Sequence, residues 1–362
     1  MNNWQRWIFV LCLPLLAQCQ SATQPLAFNQ IQFMGSHNSY KDAIEPTLMQ
    51  VLRQSNPQAA IALDYAHVSL PAQLDLGLRK LELDVFYDPL GGRYATPAGL
   101  QMAPGQSVFD PQGEMTKPGF KVLHVQDLDF RSQCQRFEHC LAQIRNWSVA
   151  HPEHLPLVII INAKDAVIDR PGFTLPLAFE DPAWQQLDDE IFAGLQNLLL
   201  TPADIQGSSA SLRESVLSGW PQLDKMRGKV LLVLDDSAAK KQAYLASPAG
   251  AAGHAMFVDV QEDSPHAAIR IVNDPVAQFD YIQQLVRQGF VVRTRADADT
   301  LEARSGATGR LQAALASGAQ IISTDYYIAD QAYGHGYKAG LPGPGIARCN
   351  PLLALDNCEI NH

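Results

Sequence analysis

Short apolar, β-branched runs recur along the chain, at Ile31 to His37, Lys80 to Phe86, Lys121 to Val125, Leu157 to Ala163, Val230 to Asp236, Met256 to Gln261, Phe290 to Arg295 and Gln320 to Tyr326. Most are separated by segments with apolar residues at helical spacing, such as Phe137, Leu141 and Ile144, or Phe279, Ile282, Leu285 and Val286. Eight strand candidates alternating with helices predict an α/β fold, a single (β/α)8 barrel of the TIM type. A doubly wound open sheet is the competitor, but no Gly-rich phosphate loop follows the first run. Two connections are long, residues 87–120 after the second strand and 166–228 after the fourth. A structureless connection of that length is either functional or a sign of a misassigned element. Within the second, Phe173, Leu175, Leu177, Phe179 and Trp184 are candidates to rim a site and touch lipid, or to pack the insertion down.

Composition narrows the function classes. With 362 residues, 47% hydrophobic and 18% charged, the chain can bury a large core. Its formal net charge of -10 argues against a sequence-independent grip on nucleic acid. An anionic substrate must therefore be recognised by a local cation, whether Lys, Arg or a metal.

The apolar run from Trp7 to Ala17 is too short to span a bilayer and reads as an export signal, assigned to residues 1–22. "LAQC" at Leu16 to Cys19 has the look of a lipoprotein signal box, with Gln18 in place of the usual small residue, so Cys19 is a candidate lipid anchor. A periplasmic or secreted protein is expected. Beyond that segment four cysteines remain, spaced for two short-range disulfides, Cys134 with Cys140 and Cys349 with Cys358. On one continuous helix the first pair would lie about 9 Å apart, too far to bridge, so Cys134 is expected in a turn before the helix holding Cys140.

Polar residues cluster where the strands should emerge at the barrel mouth. His37 and Asn38 close the first run, Glu82 and Asp84 the second, Asn162 and Lys164 the fourth, Arg293 and Arg295 the seventh, Asp325 and Tyr326 the eighth; the third offers His124. Glu82 and Asp84, at i and i+2, face the same side of the sheet and would repel each other unless a cation or proton lay between them. With the amide oxygens of Asn38 and Asn162 they form an all-oxygen set suited to Ca2+ or Mg2+, against the alternative of ion pairs with Arg79 or Lys80. Two histidines beside such a set point to acid–base work. Lys164, Arg293 and Arg295 suit a phosphate, or else neutralise the nearby acids. Together these groups fit phosphodiester cleavage.

The segments "GSHNSY", "GLRKLELDVFYDP", "KVLHVQDLDFRSQC", "PLVIIINAKD", "GFVVRTRADADT", "SGAQIISTDYY" and "RCNP", in that order, resemble the phosphoinositide-specific phospholipase C superfamily, most closely its bacterial-type Ca2+-dependent branch. The resemblance implies one barrel catalytic domain over residues 27–362, with a disulfide-stapled C-terminal tail, that cleaves phosphatidylinositol-type lipids with Ca2+. It implies attack of the inositol 2-hydroxyl on phosphorus, giving diacylglycerol and a cyclic inositol phosphate. His37 and His124 would be the catalytic histidines, the latter the general acid. Asn38, Glu82, Asp84 and Asn162 would hold the metal, and Lys164, Arg293, Arg295 and Tyr326 the substrate. Asn162 stands where better-known eukaryotic relatives carry Glu, which leaves His37 or Glu82 as the base. Two other functions stay open: hydrolysis of soluble glycerophosphodiesters, and a catalytically silent phosphate-binding barrel. Transient membrane-surface contact is expected of the first reading, and nucleic acid of none.

Overall fold

The strands form because their residues must satisfy two apolar surfaces at once. In Leu157–Ala163 the odd-numbered Leu157, Ile159 and Ile161 pack in one buried cluster with helix residues Leu141, Ile144 and Leu187. Val158 and Ile160 pack in another with Leu231, Val233 and Ile321 of other strands. Period-two alternation thus sends one set to the helical layer and the other to the barrel interior. In this computed structural model, residues 25–250, 253–353 and 358–360 are described. The proposed export signal and Cys19 lie outside them.

Ten strands are present among the described residues: β1 (Ile31–Ser36), β2 (Lys80–Phe86), β3 (Lys121–Val122), β4 (Leu157–Ala163), β5 (Val230–Leu234), β6 (Met256–Val258), β7 (Ile269–Ile271), β8 (Val291–Arg295), β9 (Ile321–Thr324) and β10 (Ala347–Cys349). Eight run in the order β6-β5-β4-β2-β1-β9-β8-β7 and pair in parallel, which is the expected TIM-like architecture. The ring is nearly closed. Its seam lies between β6 and β7, where Asp259 accepts hydrogen bonds from Arg270 Nε at 2.9 Å and Ile271 N at 3.1 Å.

The strand count matches expectation, but one member differs. Lys121 and Val122 pair antiparallel with β2 and stand off the barrel path, while Ile269–Ile271 supplies the missing barrel strand. Residues 87–120 are an excursion that turns back onto the strand it left, closing over Phe86, Tyr94, Met115 and Leu123. The second long connection carries four helices of its own, including Asp181–Leu195. Of its candidate lipid-facing residues, Phe173, Phe179 and Trp184 are buried and Leu175 is exposed. Both disulfides form, and Cys134 precedes the helix Phe137–Ala150 that contains Cys140, as the bridging geometry demands. Cys349–Cys358 ties down the tail, whose β10 pairs with the lower half of β1.

β1 touches β2 at a single register pair, Gly35 opposite Lys80. A side chain at Gly35 would drive its Cβ into Lys80 Cβ and to 2.7 Å from the Lys80 carbonyl oxygen. Glycine here makes room for a buried lysine in the barrel wall. Gly35→Ala is expected to cost about 1–3 kcal/mol through overpacking; an unchanged urea midpoint would contradict this reading of the β1–β2 contact.

Candidate active site

The inward-facing positions change character along most strands, β2 excepted, since it already begins with the buried Lys80. Near the N-terminal ends they are Ile31, Phe33, Val158, Ile160, Leu231 and Val233; toward the C-terminal ends they become His37, Glu82, Asp84, Asn162, Arg293 and Arg295. Apolar layers fill the floor, and the charged residues have each other as partners at the mouth.

The turn after β1 explains its polar sequence. Asn38 adopts a left-handed conformation, φ 44°, which asparagine tolerates better than most residues. The chain reverses there, and Ser39 N donates to the Glu82 carbonyl at 3.0 Å while Glu82 N donates to Ser39 Oγ at 2.8 Å. Ser36 Oγ donates to Gln73 Oε1 at 2.6 Å, and Gln73 Nε2 donates to the Ser39 carbonyl at 2.7 Å. The two serines are therefore fasteners, and they hold His37 over the mouth.

His37 Nδ1 lies 3.0 Å from Asp325 Oδ1, and its Nε2 is 3.7 Å from Glu82 Oε1. An ionised Asp325 accepts the Nδ1 proton, leaving Nε2 as the lone-pair nitrogen of the neutral ring. Burial lowers the proton affinity of His37, helped by Arg295 and opposed by Asp325 and Glu82. Burial disfavours the charge on Asp325, but His37 and then Arg295, at 3.3 Å, outweigh it and hold the carboxyl below its ordinary range. Behind His37, His67 Nε2 donates to the His37 carbonyl at 2.7 Å; burial drives His67 down to about 4, so it stays neutral. Tyr65 lies over the His37 ring and accepts from Asn38 Nδ2 at 2.8 Å.

Glu82 is held between two buried cations. Its Oε2 meets Lys80 Nζ and, at 2.8 Å, Arg293 Nη2. Burial opposes its ionisation, yet Lys80, then Arg293 and His37, keep it charged. Lys80 is fully buried and pushed down to about 7 by that burial. Asp84 is paired with Lys164 at 2.9 Å and sits beside Asn162 on the neighbouring strand.

His124 stands on a loop after β3. Its Nδ1 lies 2.8 Å from Asp129 Oδ2, and the loop closes on itself through His124 N donating to the Asp129 carbonyl. Asp127, also left-handed with φ 68°, accepts from Ala98 N and Thr174 N, each at 2.7 Å, joining both long connections to this loop. Tyr326 stands apart from the charged groups, in an apolar cluster with Met34, Leu78 and Tyr337.

The structure thus connects His37, Glu82, Asp84, Asn162, Lys164, Arg293 and Arg295 in one mouth. Lys80 pairs with Glu82, which is the ion pair held open as the alternative to a metal, and Asp325 is one of the strand-end acids expected at the mouth; roles for Asp129, Asp127, Tyr65 and His67 were not foreseen. Asp129 had a signal, as an acid in a short loop after a histidine.

The family description "Phosphoinositide phospholipase C, Ca2+-dependent" matches residues 26–351. The chain belongs to this family. Its relatives are phospholipases C, phosphoric diester hydrolases that depend on Ca2+. A calcium-dependent phosphoinositol-specific phospholipase C from Pseudomonas sp., also solved as a myoinositol complex, is 19% identical, with 90% of this chain and 95% of that chain covered and a TM-score of 0.53. The Streptomyces antibioticus enzyme is 17% identical, covering 83% of this chain and 95% of that chain, with a TM-score of 0.51. At these identities the likeness bears on the fold. A search of curated proteins finds no match.

For a calcium-dependent phospholipase C the oxygen set can be tested against the metal. No group of three or more His, Cys, Asp or Glu side chains is placed for a metal among the described residues. The set proposed from sequence has two acids and two amides, so it falls outside such a grouping. Among the described residues Asp84 Oδ2 is buried and receives no hydrogen bond, although Lys164 pairs with it by charge, and Asn162 Nδ2 has no hydrogen-bond partner. Glu82 has Oε1 directed toward His37 rather than to a cation. A hard cation fits this donor chemistry.

Glu82→Gln would leave Lys80 and Arg293 buried without their anion. We expect a loss of about 3–5 kcal/mol in unfolding free energy, measured by urea denaturation with a chelator present; a loss below about 1 kcal/mol would show that the two cations find other partners.

Proposed function

We propose that this chain cleaves phosphatidylinositol-type lipids at the diacylglycerol–phosphate bond, with the inositol 2-hydroxyl as nucleophile. One observation carries the reading: each of the two histidines has Nδ1 fixed by a buried carboxylate, Asp325 for His37 and Asp129 for His124. Each is thereby left with Nε2 for the substrate. One neutral histidine takes a proton and one protonated histidine gives one, which is what an in-line displacement at phosphorus requires.

His37 is the base, because burial and Arg295 keep it neutral and Asp325 stabilises the imidazolium that forms. Glu82, the alternative, is held ionised by Lys80 and Arg293 and makes a poor proton acceptor. The 2-hydroxyl oxygen bonds to phosphorus as its proton passes to His37 Nε2. The bond to the diacylglycerol oxygen breaks as His124 Nε2 gives that oxygen a proton, leaving diacylglycerol and inositol cyclic phosphate. Asn38, Glu82, Asp84 and Asn162 would hold Ca2+, which when bound neutralises phosphate charge and lowers the proton affinity of the attacking hydroxyl. Lys164, Arg293 and Arg295 add positive charge on the same side. The myoinositol held by the Pseudomonas relative supports the headgroup assignment.

The lipid would be met at the membrane surface. Leu90 and Leu175, 87% and 61% exposed, line one groove with Pro89, Arg93 and Leu177 on the loops after β2 and β4, on the same face as the site. We assign them to the acyl–headgroup boundary. The two disulfides support export to an oxidising compartment, after removal of a signal over residues 1–22.

Phosphatidylinositol with Ca2+ should yield diacylglycerol and a cyclic phosphate, identified by phosphorus NMR; turnover of glycerophosphoinositol to glycerol phosphate, or activity unaffected by chelator, would overturn the assignment. His37 works unprotonated, so kcat/KM should fall on its acid limb below the ordinary histidine value of 6.5. Asp325→Asn removes a charge that raises His37, so the limb should move to still lower pH while the rate drops about tenfold or more. Replacing Leu90 and Leu175 together by Ser should weaken binding to phosphatidylinositol vesicles about tenfold or more in a sedimentation assay, with turnover of a soluble inositol aryl phosphodiester retained.

A further inference from the structure

Lys41 is a fully buried lysine just beyond the first histidine turn, and the chemistry described so far does not use it. Its ammonium donates to the Tyr65 carbonyl at 2.7 Å and the Asp42 carbonyl at 3.3 Å, and lies 4.8 Å from the Tyr65 ring centroid. It also lies 3.3 Å from Asp129 Oδ1. That oxygen receives no hydrogen bond among the described residues, so the charge of Lys41 is what compensates it. The other oxygen of the same carboxylate holds His124 Nδ1 at 2.8 Å.

The backbone ties the same two loops together. Gln133 N donates to the Tyr40 carbonyl at 3.0 Å, Asp42 N donates to the Arg131 carbonyl at 3.3 Å, and Lys41 bridges Ser132. His67 N donates to the Lys41 carbonyl at 3.0 Å, and His67 in turn holds the His37 carbonyl. A continuous path therefore runs from the first histidine turn through Lys41 and Asp129 to the second histidine.

We infer that the Lys41–Asp129 ion pair is a positioning brace, set by the first histidine turn, that aims His124 at the leaving-group oxygen. A buried carboxylate oxygen with no hydrogen bond is compensated by the adjacent ammonium, and a carboxylate with one oxygen anchored can rotate little. Lys41 sets the angle and Asp129 transmits it. The inference rests on the phosphodiester-cleavage reading above.

The test separates leaving groups. Diacylglycerol is a poor leaving group and needs a proton from His124; 4-nitrophenolate departs without one. Purified full-length Lys41→Met and Asp129→Asn should each lose about tenfold or more in kcat on phosphatidylinositol, while kcat on 4-nitrophenyl inositol phosphate changes less than about threefold and KM changes little for either. Where Lys41→Met fails to fold because Asp129 is stranded, Lys41→Met with Asp129→Asn removes both charges and should show the same selectivity. Equal losses on both substrates, or none, would overturn the brace. In the unaltered protein, nitrogen NMR should find neutral His124 protonated at Nδ1, and an Nε2-protonated ring would overturn it without any variant. Wild-type protein that cleaves neither diester would overturn the functional reading, and the brace with it.

Discussion

Glu82 stands in the barrel wall between a buried lysine and a buried arginine, and much of the mouth follows from that contact. Its strand cannot bury a carboxylate alone, so Lys80, two residues earlier on the same face, and Arg293, from β8, supply the charge. Lys80 needs space, and Gly35 on β1 provides it by having no side chain. The glycine fixes how closely β1 approaches β2, and the next residues, Ser36 and His37, are then delivered to the rim. Charge matching inside the barrel and the placement of the first histidine are thus one constraint.

The two halves of the proposed acid–base pair are built differently. His37 leaves the end of a barrel strand and is held by Asp325 from the adjacent β9 end. His124 comes from outside the barrel, on a loop that exists because residues 87–120 leave β2 and return to pair with it. Its aim depends on contacts between loops, with Asp127 gathering both long connections and Asp129 meeting Lys41. Loops carry part of the site here, but loops pinned by buried carboxylates.

Membership of the Ca2+-dependent phosphoinositide phospholipase C family accords with a mouth rich in oxygen donors, and it also frames the role of the cations. Lys80, Lys164, Arg293 and Arg295 all have carboxylate partners. Arg293 and Lys164 cannot meet a phosphate without sharing their charge with Glu82 and Asp84. Both alternatives weighed from sequence, phosphate binding and neutralisation of acids, thus describe the same side chains. Tyr326, grouped with them as a strand-end polar residue, instead packs in the apolar cluster behind the strand.

Local physics was enough to read several features from the residues themselves. Short apolar, β-branched runs identified seven of the eight barrel strands, the two-residue period placed Glu82 and Asp84 on one face, and helix rise with bridging geometry required Cys134 to precede the helix of Cys140. Lys121–Val122 deceived because a short apolar run has the same pattern in a barrel strand and in an edge strand. Ile269–Ile271 was missed because three residues with a central arginine carry too little alternation to register. The charge partners lay beyond sequence altogether. His37 and Asp325 are 288 positions apart, and Arg293 and Glu82 are 211 apart. Sequence determined which side chains face inward, since that depends on neighbours two residues away; tertiary structure alone decided which of them meet, since that depends on the order in which the barrel closes.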